Sequence, residues 1–117
     1  MKKFILVLFL SILCVQLLAQ DDFYSKKAEE YTKEAEFYQK KAEGYRREAE
    51  FYLNKAAGYN REASYYLNRG DASRASTQQR FAKEASDKAN TYLKFAKEAD
   101  DKAATYLRWA AEALRHF

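Results

Sequence analysis

From residue 23 onward, apolar and polar positions alternate in a strict four-three rhythm, the spacing that lines one stripe of an α-helix. Tyr24, Tyr31, Tyr38, Tyr45, Tyr52, Tyr59 and Tyr66 recur every seven residues, and Ala28, Ala35, Ala42, Ala49, Ala56 and Ala63 fall between them. In heptad notation these are the d and a positions of a coiled coil. A second block puts Ala75, Ala82, Ala89, Ala96, Ala103, Ala110 and Phe117 at a. Its d positions are Gln78, Ala85, Tyr92, Ala99, Tyr106 and Ala113.

The two blocks differ in phase by two residues, a slip that a single coiled-coil helix does not absorb. The slip falls at Asn68-Arg69-Gly70-Asp71-Ala72-Ser73. Glycine suits a left-handed position just past a helix end, and Asp71 or Ser73 can cap the helix that follows. The pattern therefore predicts a helix over 22–68, a turn over 69–71 and a helix over 72–116, folded into an antiparallel hairpin. Each helix would span roughly 70 Å.

A pairing centred between Gly70 and Asp71 sets Tyr59 on Ala82, Tyr52 on Ala89, Tyr45 on Ala96 and Tyr38 on Ala103. Ala49 then meets Tyr92, and Ala35 meets Tyr106. Ala56 meets Ala85 and Ala42 meets Ala99, so no Tyr opposes Tyr and large faces small, as close packing demands. The fold class is all-α: an antiparallel two-helix hairpin, an Ala/Tyr coiled coil of the Ala-coil type.

A longer repeat overlies the heptads. Phe23-Tyr24-Ser25-Lys26-Lys27-Ala28 returns fourteen residues on as Phe37-Tyr38-Gln39-Lys40-Lys41-Ala42, and again as Phe51-Tyr52-Leu53-Asn54-Lys55-Ala56. In the second block Phe81-Ala82-Lys83-Glu84-Ala85 returns as Phe95-Ala96-Lys97-Glu98-Ala99. This repeat carries a second aromatic row. Phe37, Phe51 and Tyr65 sit at c of the first helix with Phe23, and Phe81, Phe95 and Trp109 sit at g of the second. In an antiparallel pair both rows lie on one side. Gly44 and Gly58 fall level with Phe95 and Phe81, so each is expected to notch the helix for a ring from the other. Phe37, Phe51, Tyr65, Phe81, Phe95 and Trp109 are together expected to form an interaction face. Leu53, Leu67, Leu93, Leu107 and Leu114, at e on the other side, would widen the core.

The first twenty residues break the pattern. Lys2 and Lys3 precede an apolar run from Phe4 to Leu18, which ends at Ala19-Gln20 before Asp21. This is the layout of a secretory signal peptide over residues 1–20, cleaved after Ala19 or Gln20. It leaves residues 21–117 as the mature, secreted or periplasmic chain. Cys14, which follows the bulky Leu13, is read as part of the removed segment rather than a lipidation site, and cleavage leaves no thiol.

Charge and composition add little. Of the 21 Lys and Arg, two are Lys2 and Lys3, and the remainder nearly balance 17 Asp and Glu. Nucleic-acid binding is not expected. His116 is the only histidine, and no phosphate loop, nucleophile elbow or zinc motif occurs. No catalytic residue, cofactor or metal is expected. The function expected is that of a non-enzymatic structural or interaction module whose partner is a second copy or another protein. The alternatives are a peripheral envelope- or lipid-binding helix pair, and an adhesion ligand presenting the tripeptide Arg69-Gly70-Asp71.

Overall fold

The structure is a computed structural model that describes the backbone of residues 2–115 and the side chains of residues 22–115. It holds two α-helices, α1 (Lys2–Asn68) and α2 (Ala72–Leu114), joined as a helical hairpin. Expectations for Cys14, for cleavage after Ala19 or Gln20, and for His116 and Phe117 fall outside the described side chains. Among the described residues, no helix is long and apolar enough to cross a membrane.

Two residues of the turn, Gly70 and Asp71, have separate tasks. Gly70 takes φ +77°, a left-handed conformation that a Cβ would strain. Its N–H donates to the Leu67 carbonyl at 3.1 Å, and the Asp71 N–H donates to the Tyr66 carbonyl at 2.9 Å. These two bonds form the Schellman arrangement and satisfy carbonyls that the end of α1 leaves open. Asp71 then caps α2: its Oδ1 accepts the Arg74 N–H at 3.1 Å, and its carbonyl accepts the Ala75 N–H. Of the two candidate caps, Asp71 is the one used.

The described chain divides into two compact units. A turn-proximal unit comprises Tyr38–Asp101, and a second unit pairs the chain up to Phe37 with the chain from Lys102 onward. In the turn-proximal unit, Ala42, Ala96 and Ala99 form a buried cluster with Tyr45 packed against it. In the other, Ala28, Ala110 and Ala113 form the corresponding cluster under Tyr31.

Among the described residues the buried hydrophobic side chains are all alanines and the seam tyrosines are only half-buried, so the core is narrower than the Tyr/Ala seam predicts. Alanine fills the facing positions, and each seam tyrosine stays partly exposed at their edge. Tyrosines of neighbouring layers consequently touch: Tyr52 and Tyr92 stack at 5.8 Å with planes 7° apart, and Tyr31 meets Tyr106 at 6.3 Å. The leucines at e do not widen the core. Leu53, Leu67, Leu93, Leu107 and Leu114 all remain exposed.

Candidate interaction surface

The aromatic residues follow a rule set by the fourteen-residue repeat. In the turn-proximal unit, Phe95 of α2 packs on Tyr45 at 5.5 Å, and Phe81 packs on Tyr59 at 5.5 Å. The intervening tyrosines of α1 receive a cation from α2 instead. The Lys88 ammonium lies 5.4 Å from the Tyr52 ring, and the Arg74 guanidinium 5.8 Å from the Tyr66 ring. Those same tyrosines carry an aromatic neighbour on α1 itself: Phe51 stands edge-on to Tyr52 at 5.3 Å, and Tyr65 to Tyr66 at 5.4 Å. Where α2 supplies a ring, the corresponding position on α1 is Gly44 or Gly58.

The glycines are not notches for those rings. A Cβ placed on Gly44 would meet nothing within 4 Å, and one on Gly58 only the tip of Arg61 at 3.9 Å. Phe81 and Phe95 lie against tyrosine rings instead, where an edge or tilted contact near 5.5 Å is favourable in its own right. Each glycine costs the helix about 1 kcal/mol relative to alanine, and no ring of α2 lies within 4 Å of where either Cβ would stand.

A continuous path of rings joins both helices in this unit. Phe51 touches Tyr52, Tyr52 stacks on Tyr92, Tyr92 meets Phe95 at 6.2 Å, and Phe95 returns to Tyr45. Two rings of the path are open to solvent, with Phe51 51% and Phe95 40% exposed. Tyr65 is exposed as well, and Phe81 is half-buried. The structure therefore brings Phe51, Tyr65, Phe81 and Phe95 into one unit. Tyr92 is the junction of the path. Its place in the heptad marks it as core, and nothing in the sequence separates it from the other d tyrosines.

Phe37 and Trp109 belong to the other unit, and both are exposed. There Trp109 packs on Tyr31 at 5.7 Å and on Tyr106 at 5.2 Å. It also walls a hollow of about 410 Å³ with Phe23, Tyr24, Lys27, Tyr31 and Glu112. A hollow of about 80 Å³ in the turn-proximal unit has a similar lining two repeats away, with Phe81 in place of Trp109 and without the counterpart of Phe23. There Lys88 also joins the wall and lies over the Tyr52 ring.

At the turn, both ends of the Arg69-Gly70-Asp71 tripeptide have local work. The Arg69 guanidinium lies 4.2 Å from the Tyr65 ring. The Asp71 carboxylate accepts the Arg74 N–H and pairs with the Arg74 side chain at 3.4 Å. Among the described residues, no group of three or more His, Cys, Asp or Glu is placed to hold a metal ion.

Comparison of the chain with protein-family models, with curated proteins and with solved structures finds no match.

Proposed function

We propose that this chain is a non-enzymatic interaction module outside the cytoplasm, a helical hairpin that self-associates through its aromatic side. Residues 1–20 act as a cleaved signal peptide, and the mature chain is secreted or periplasmic. The helix pairing is of the Ala-coil type, with alanine at the closest approach.

The observation that carries this reading is the ring path from Phe51 through Tyr52, Tyr92 and Phe95 to Tyr45. It is organised by both helices and yet left half open to water. Leaving a large apolar ring wet forgoes on the order of 1.5–3 kcal/mol that burial would supply. Several such rings on one side make a contiguous apolar patch of the kind that marks an interaction site.

The test is Phe51→Ser with Phe95→Ser. By light scattering the double variant should be monomeric, with its helical circular dichroism retained, while the unsubstituted protein is a dimer or larger. A double variant that keeps the unsubstituted mass would remove the aromatic side from the account.

A further inference from the structure

We infer that the turn-proximal unit receives a second copy of itself side by side and pointing the same way, with Phe95 and Phe81 of one copy lying over Gly44 and Gly58 of the other. This inference rests on the self-association proposed above and specifies its geometry.

The aromatic side of this unit is patterned as knobs and spaces. On α1 the c positions alternate between Gly44, Phe51, Gly58 and Tyr65. Phe51 and Tyr65 are exposed, the space above Gly44 is open, and only the tip of the Arg61 side chain reaches the space above Gly58. On α2, Phe95 packs beside Tyr45, next to Gly44, and Phe81 beside Tyr59, next to Gly58. Each ring thus stands at the level of a glycine on the neighbouring helix without occupying its space.

Closed dimers are two-fold symmetric, and two such arrangements bring this side against itself. In one, the axis runs along the helix pair and both copies point the same way. No axial slip is then permitted, so α1 of one copy faces α2 of the other at the levels already found within one hairpin. Phe95 falls on Gly44, Phe81 falls on Gly58, and Phe51 enters the interval between Phe95 and Phe81. In the other arrangement the copies point opposite ways and α1 faces α1, with Phe51 set on Gly58 or Gly44.

Charge separates the two. The g positions of α1 run Lys41, Glu48, Lys55, Glu62, and the c positions of α2 run Glu84, Thr91, Glu98. Pointing the same way, Lys55 comes level with Glu84, Lys41 with Glu98, and Glu48 with neutral Thr91. Pointing opposite ways, both registers that seat Phe51 on a glycine set lysine beside lysine and Glu48 beside Glu48 or Glu62. Like charges brought together at an interface disfavour that pairing. The same-way dimer satisfies shape and charge together.

The experiment uses the chain expressed in full and processed by the producing cell, in a Cys14→Ser background. Gly44→Leu with Gly58→Leu should weaken association at least tenfold by sedimentation equilibrium. Helicity and melting temperature of the monomer should stay level or rise, since leucine is the better helix former and a Cβ meets nothing within 4 Å at Gly44 and only the tip of Arg61 at Gly58. Gly44→Ala with Gly58→Ala provides a gentler pair for the same comparison. Spin labels on Ser73→Cys, beside the turn, should show one short distance between copies. A monomeric unsubstituted protein would remove self-association itself, and this geometry with it. A dimer that persists undiminished in the leucine variant, or labels that lie far apart, would overturn the geometry alone.

Discussion

At the residue scale, the hairpin depends on a few positions where no other side chain serves as well. Gly70 has a positive φ, and alanine there should cost about 1–2 kcal/mol, measurable by thermal or urea unfolding. Ala89 is fully buried. Leucine in its place overfills the contact between the helices and should cost about 1–3 kcal/mol. The same substitution at exposed Lys97 should fall within about 0.5 kcal/mol of the parent protein. Equal effects at Ala89 and Lys97 would mean that the buried face of α2 has been misassigned.

The sequence is most legible where one residue type has one physical use. Alanine at a can only be core between charged flanks, and Ala28, Ala35, Ala42, Ala49, Ala56 and Ala63 are all buried. Tyrosine at d is less legible, because a phenol ring can fill a seam or lie across its edge, and heptad spacing is the same for both. Alanine takes the buried positions, and the seam tyrosines are left half-buried beside it. The role of the glycines is hard to read for a related reason. Level alignment with Phe95 and Phe81 suggests a notch, but pairwise ring geometry directs each phenylalanine onto the adjacent tyrosine.

At the scale of the element, the two helices are joined by more than their alanines. Arg46 of α1 and Asp100 of α2 form an ion pair at 3.0 Å, with both side chains nearly half exposed. A surface pair of this kind contributes about 0.2–1 kcal/mol and weakens with salt. The aromatic junction should matter more. Tyr92 touches Tyr45, Tyr52 and Phe95, so Tyr92→Ala loses both area and ring geometry. It should destabilise by about 2 kcal/mol. Leu93→Ala, next to it but exposed, should be close to neutral. Urea unfolding of the two variants compares them directly, and a larger loss at Leu93 would show that the leucine side, not the aromatic side, secures the helices.

At the scale of the whole molecule, the central claim is that the aromatic side is an interface between copies. An Ala-lined helix pair buries little per residue, and its largest side chains remain half in water. Association through the exposed rings would supply burial that one hairpin cannot, which makes apparent stability depend on protein concentration. The most direct test is sedimentation equilibrium of the unsubstituted mature protein over a concentration series reaching high micromolar. A mass of two chains or more that falls toward one chain on dilution is the result this account predicts. A single-chain mass at every concentration would contradict it and leave the exposed rings as the rim of a monomeric hairpin.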